Sequence, residues 1–238
     1  MDNAIYASLT RQSGLMAEMR VVANNIANAS TTGFRREGVI FAEHLTALDR
    51  QGDTLSMAHA RGRMLDLRQG AMTQTNNNLD LAIEGAGFFL VEAPDGLRLT
   101  RAGAFMPSAE GELMTAAGHR LLDEGQAPVI LPAGAASVAV GADGTLSSNG
   151  LPFGRIGLFT APEGVDLTHQ GGTGFTLEGA PETVENPQIR QGFLEDSNVD
   201  PIFEITRMIE VQRAYELGQS FLDREDQRIR GAITAMTR

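Results

Sequence analysis

The sequence predicts an α+β protein. Long N- and C-terminal α-helices pair as a coiled-coil-like stalk, and an irregular, barrel-like β-rich domain is inserted between them. Three observations carry that expectation. An apolar heptad seam runs through residues 3–28, and a second runs through residues 201–237. Between them, residues 65–195 read as short strand-like stretches punctuated by glycine, of which the 238-residue chain holds 27. The expected division is an N-terminal helix over 1–33, an extended linker region over 34–75, the central domain over 76–195 and a C-terminal helix over 196–238.

In the first helix Ile5, Leu9, Met16, Met19, Ala23 and Ile26 alternate spacings of four and three. Gln12 fills the remaining seam position, and Leu15 and Val22 widen the stripe. Asp2 or Asn3 can cap the start, and Gly33 can take the left-handed conformation that ends the segment. The stretch "VVANNIANASTTGF" then places Asn24, Asn25 and Asn28 within five positions. Asn is a poor helix-interior residue because its amide competes for the backbone. Two readings stand. Either Asn accumulates at a fraying helix end, or Asn24 and Asn28, four apart on one face, set register against neighbouring helices.

The middle changes character. "LDLAI", "GFFLV" and "LRLT" read as strands, with a Pro94-Asp95-Gly96 hairpin turn between the last two. "SVAVGADGTLS" repeats the pattern around Asp143-Gly144, and "GRIGLFTAPEGVDLT" reads as another strand–turn–strand. Residues 34–64 are ambiguous: "VIFAEHLTALDR" fits a short helix, and "QGDTLSMAHARGR" reads as mobile.

The second helix has a strong start, with Asp200 as N-cap and Pro201 at the first helical position. Met208, Val211, Tyr215, Gly218, Leu222, Ile229, Ala232 and Met236 keep a heptad seam that only Glu225 interrupts. Ile202, Ile205 and Ile209 add an apolar edge in the first turns. At about 1.5 Å per residue the helix runs roughly 50 Å. A single apolar stripe on a helix cannot bury itself. The two ends therefore pair with each other, with neighbouring subunits, or with both. The layout fits a polymer-forming protein, or an ordinary two-helix stalk inside one domain.

Composition narrows the function. The formal net charge is -11, and residues 71–195 alone hold 15 acidic against 5 basic side chains. An acidic middle argues against nucleic acid, which needs basic stripes. There is no Cys, so thiolate metal sites and cysteine nucleophiles are out. The four histidines, His44, His59, His119 and His169, have no metal-ligand spacing. "GAGFFL" has Leu90 where a dinucleotide fingerprint needs its third glycine, so Gly85 and Gly87 read as a bulge or tight turn. "QGGTGF" lacks the lysine of a phosphate loop. No catalytic constellation, cofactor site or metal site is expected. No run of about 18 apolar residues would insert in a membrane, and the opening "MDNAIYASLTRQSG" lacks the pattern of a cleavable signal peptide.

Four blocks then resemble one known family. "VVANNIANASTTGF" resembles the N-terminal signature of the flagellar rod, hook and hook-associated proteins, an amphipathic helix ending in A-N-N-x-A-N and then T-T-G-[FY]. This adds Thr32, Gly33 and Phe34 to the residues of interest. "QGAMTQTNNNLDLAIEGAGFFLV" and "LTRAGAFMPSAEGELMTAAGHRLL" are similar to the family's second and third blocks. "QGFLEDSNVDPIFEITRMIEVQRAYE" resembles the closing block, including Met208, Ile209, Gln212, Arg213 and Tyr215. One departure is Arg35, where the family often has Lys. The blocks span nearly the whole chain in the family's order. The resemblance implies a non-enzymatic subunit exported unfolded through the flagellar type III apparatus. It implies polymerisation with neighbouring rod subunits and copies of itself into a tube across the periplasm. The terminal helices would form the inner tube and carry the assembly interface.

Overall fold

A computed structural model describes residues 2–47, 54–132 and 138–236, with side-chain environments for 8–40, 62, 64–132 and 138–236. The chain forms two compact units. The first joins Met1–Ala27, Arg36–Asp66 and Asp200–Arg238, and the second joins Asn28–Arg35 and Leu67–Val199.

The first unit holds both helices. Helix α1 spans Asp2–Ala27 and helix α2 spans Pro201–Met236. The α2 start follows from the sequence: the Asp200 carboxylate accepts the N–H groups of Ile202 at 2.9 Å and Phe203 at 3.2 Å, satisfying two of the orphan donors of a helix N-terminus. Strands β1 (Glu37–Ala47) and β2 (Thr54–Leu65) form a long antiparallel hairpin with a bulge between Ile40 and Phe41. Its base is closed by the Asp66 N–H donating to the Arg36 carbonyl at 2.9 Å. The short helix that "VIFAEHLTALDR" suggested is a strand as far as Ala47. Of the stretch read as mobile, residues 54–63 are strand and 51–53 lie outside the described residues. The reason is non-local. A strand is specified by its cross-strand partners, which sit here up to 28 residues away, as with Glu37 opposite Leu65.

The second unit is the β-rich centre. Strands β3 (Met72–Gln74), β4 (Leu81–Ile83), β5 (Phe88–Ala93) and β6 (Gly96–Thr100) come first in the chain. The β5–β6 hairpin turns at Pro94-Asp95-Gly96, as the sequence requires. β5 is the backbone of the largest sheet, pairing with β6, with Arg120–Leu121 and with Leu158–Thr160. Val138–Val140, Thr145–Ser148 and Leu151–Arg155 form a separate three-stranded sheet. Gly144 holds its turn at φ +86°, where a Cβ would sit 2.4 Å from the Ile156 carbonyl oxygen. "GRIGLFTAPEGVDLT" forms no hairpin of its own: Leu158–Thr160 pairs with β5 and Glu182–Thr183, and Thr168–His169 with Gly174–Thr176.

The core of this unit gathers Leu81, Phe89, Val91, Leu121 and Ile156, each at most 1 % exposed, with Phe105 edge-on to Phe89 at 5.3 Å. The described strands form open sheets, and the expected barrel-like closure is corrected to that. Closure needs strands of consistent length and stagger, and most strands here have only two to five residues.

Candidate assembly interface

The two helices place their apolar stripes differently. On α2 the expected seam lies on the covered face as far as Ile229: Val211 is 2 % exposed, and Met208, Tyr215, Gly218, Leu222 and Ile229 are half-buried, whereas Ala232 and Met236 are exposed. On α1 the buried positions are Gly14, Glu18, Val21, Val22 and Asn25. Part of the seam read from the sequence lies about half a turn away, since two residues advance roughly 200°, whereas Gln12 turns toward α2 and reaches Gln219 at 3.5 Å. Leu9 and Met16 are 48 % and 43 % exposed, and Ala23 is exposed as well. Leu15, Met19, Ile26 and Asn24 are half-buried. The side chain of Ile5 lies outside the described residues.

Polar pairs decide which face turns inward. Glu18, 7 % exposed, accepts from Arg207 Nε at 2.7 Å and ties α1 to α2. Partial burial draws the Arg207 guanidinium down, but the hydrogen bond and charge of Glu18, joined by Glu210, outweigh it and hold the group above its usual value. Farther along α1, Asn25 is fully buried. Its Oδ1 accepts the Glu37 N–H at 3.0 Å, and its Nδ2 donates to the Glu37 carbonyl at 2.8 Å. The amide thus pairs with β1 as a peptide group would. The same Nδ2 reaches Glu204 Oε2 at 3.2 Å, and Arg36 Nε donates to Glu204 Oε1 at 2.5 Å. One amide therefore joins α1, the hairpin and α2. Glu204 has no exposed side-chain surface, whereas Arg36 keeps part of its side chain in solvent, so removing Arg36 leaves a buried carboxylate with the Asn25 amide.

Sequence reasoning missed Glu18, Arg36, Glu37, Glu204 and Arg207. Each is an ordinary charged residue in its local context, and the partners of Glu18 and Asn25 on α2 are 189 and 179 positions away.

Two clefts open in this unit. One of about 460 Å³ lies between the helices and is lined by Gln12, Leu15, Ala214, Leu217, Gly218 and Phe221. The other, of about 440 Å³, lies beside Glu18, Val22, Arg36, Met64 and Phe203. The start of α2 also exposes apolar surface. Ile202, Phe203, Ile205 and Ile209 are 78 %, 55 %, 50 % and 46 % exposed, and Gln212, Arg213 and Met236 are exposed too.

The remaining expected residues belong to the second unit. Asn28 is half-buried and closes a turn, accepting the Thr31 N–H at 3.1 Å and the Thr31 hydroxyl at 3.2 Å. Thr32 is half-buried, and Gly33 and Phe34 are buried. Gly33 sits at φ +73°, where a Cβ would lie 2.3 Å from the Ala102 nitrogen.

Three family models match the chain. They are a flagella basal body rod protein model at residues 5–35, a flagellar hook protein FlgE/F/G D1 domain at 82–148, and a flagellar basal body rod FlgEFG protein C-terminal model at 190–235. The flagellar basal-body rod protein FlgF of Caulobacter vibrioides is 40 % identical over 98 % of this chain and 97 % of its own length. The chain belongs to the FlgF family of flagellar basal-body rod proteins. Another FlgF, from Mesorhizobium japonicum, is 36 % identical over 91 % of the chain and 90 % of its own length. The rod protein FlgG of Agrobacterium fabrum is more distant, at 29 % over 94 % of the chain and 95 % of its own length. FlgF membership makes this chain a structural subunit of the flagellar basal-body rod. Both helices fall almost wholly inside matched ranges, whereas the β1–β2 hairpin lies between them.

Proposed function

We propose that the chain is a proximal-rod subunit that polymerises through its terminal helices into a helical tubular shaft, which transmits torque across the periplasm. Its partners are neighbouring proximal-rod subunits, copies of itself and the distal rod protein FlgG. The flagellar export apparatus handles it on the way out, unfolded. The role is mechanical and non-enzymatic, and needs neither nucleic acid nor membrane insertion. No described helix is long and apolar enough to cross a membrane.

The observation that carries this reading is the outward seam of α1. Leu9 and Met16 follow a heptad pattern yet face away from the chain's own buried stripe. An apolar stripe left in water is stabilised by covering it. In a helical array each terminal helix has neighbours on several sides, so coiled-coil-like packing continues from one subunit to the next. The clefts beside Leu217 and Phe203, of about 460 and 440 Å³, have room for several side chains of those neighbours. FlgG is the second reading, favoured less because the FlgF relatives are more similar.

The test is deletion of the gene, imaging of purified basal bodies by electron microscopy, and complementation with the intact chain. A rod that stops early, lacking distal rod and hook, is the expected result. A complete rod and hook would refute the assignment.

A further inference from the structure

The four sequence blocks that carry the resemblance come from separate stretches of the chain, and in the second unit they meet at one carboxylate. Glu195, from "LEDSNV", is 1 % exposed. Its backbone carbonyl accepts the Gly33 N–H at 2.7 Å. Its Oε1 accepts the Gly70 N–H at 2.9 Å and pairs with the Arg35 guanidinium. Its Oε2 accepts from Arg101 Nη1 at 2.9 Å. Gly33 and Arg35 come from "TTGFR", Gly70 from "QGAM" and Arg101 from "LTRAG". Arg101 extends the set by donating to the Gly85 carbonyl at 2.6 Å, in "GAGFF".

The site is closed and short of negative charge. Arg35 has no exposed surface and Arg101 is 4 % exposed, so two guanidiniums share one carboxylate. Arg35 Nε and Nη2 have no hydrogen-bond acceptor. Burial is the largest influence on Arg101 and draws its guanidinium below the ordinary value, against the charge of Glu195. Backbone approaches beside the carboxylate are too close for slack: a Cβ on Gly70 would lie 2.0 Å from the Asp196 carbonyl oxygen. Arg35, Gly70 and Glu195 stand at or within a few residues of three of the four points where the chain passes between its two units, Arg35/Arg36, Asp66/Leu67 and Val199/Asp200, the fourth being Ala27/Asn28. By contrast, β5 and β6 have their own ladder and apolar core, including Phe89, Val91 and Leu99.

We propose that Glu195 is a positioning residue for rod assembly, whose charge fixes the connecting segments 28–35, 67–71 and 193–199 while the β5–β6 sheet forms without it. The assembly half of this proposal rests on the chain being a rod subunit, and the local half does not.

The experiment compares the full chain with Glu195→Gln, by amide hydrogen exchange on the purified protein and by complementation of a deletion strain. Expected are at least tenfold faster exchange at Gly33, Gly70 and Asp196, unchanged protection in β5 and β6, and no rod beyond this subunit. Unchanged exchange at the three connecting segments would overturn the proposal. Simultaneous loss of protection in β5 and β6 would also overturn it, because Glu195 would then be a general stability residue. A triple variant, Arg35→Met, Glu195→Gln and Arg101→Met, removes every buried charge of the set. It is expected to leave assembly blocked with the β5–β6 sheet protected. Restored assembly would reduce Glu195 to a neutralising charge and sink the positioning role. The exchange result stands whether or not the chain enters a rod, so a failure of the rod assignment is told apart from a failure of this proposal.

Discussion

Asn25 makes three hydrogen bonds from a fully buried amide, and each reaches a different requirement of the fold: a backbone donor, a backbone acceptor and a carboxylate. Replacing it with Ala removes that partner from all three, and the cost stays well below three full losses of about 1–3 kcal/mol because Glu204 keeps Arg36. Asn25→Ala is therefore expected to destabilise the chain by about 2–4 kcal/mol in denaturant titration, and Asn24→Ala, on a half-buried position, by much less. Three asparagines near the end of α1 were legible in the sequence as a polar signal. Which one is buried was not, because Glu37 and Glu204 select it from elsewhere in the chain. Asp143 offers a pH test at the same scale. The Thr145 hydroxyl donates to its carboxylate at 2.7 Å and the Thr145 N–H at 3.1 Å, and these bonds hold its acidity below the ordinary carboxylate value. A folded-state value below the unfolded one, near ~3.9, gives stability that is present above that value and lost as pH falls through the folded one. Asp143→Ala should lower the thermal midpoint at pH 7, by a margin that shrinks as the pH falls below the ordinary carboxylate range.

At the scale of elements, helix existence was easy to read and helix orientation was not. Capping by Asp200, Pro201 at the first turn and two sustained heptads located α1 and α2 almost to the residue. The face of α1 that turns inward carries Glu18 and Asn25, which a reading by hydrophobicity assigns to solvent. The hairpin β1–β2 was illegible for a related reason, as its register depends on distant partners. This separates two classes of helix substitution. Leu9→Ser and Met16→Ser touch exposed positions and should change the stability of the free chain by less than about 0.5 kcal/mol, while reducing incorporation into rods at least tenfold. Val22→Ala and Val211→Ala remove buried methyl groups and should cost about 1–3 kcal/mol in the free chain. Urea titration of the free chain, paired with immunoblots of purified basal bodies, separates the two.

For the whole molecule, charge and apolar surface divide the labour. Between residues 156 and 189 the chain carries five carboxylates, all on exposed positions, and no arginine. Like charge on a solvated surface repels and is screened by salt, so these carboxylates are expected to keep finished shafts apart. Converting Glu163, Asp166, Glu178, Glu182 and Glu185 to their amides should raise light scattering of purified rods at low ionic strength, and unaltered scattering would count against that role. In the rod, the outward seam of α1 is expected to be covered by other subunits. The chain has no cysteine, so Met16→Cys introduces a single thiol that reports on that seam alone. The most direct measurement is maleimide labelling of this thiol in the free chain and in purified basal bodies. Rapid labelling of the free chain, protection in the basal body, and a cross-link to another rod subunit when a short bifunctional reagent is used are the expected results. Equal labelling in both states, with no cross-link, would contradict that coverage.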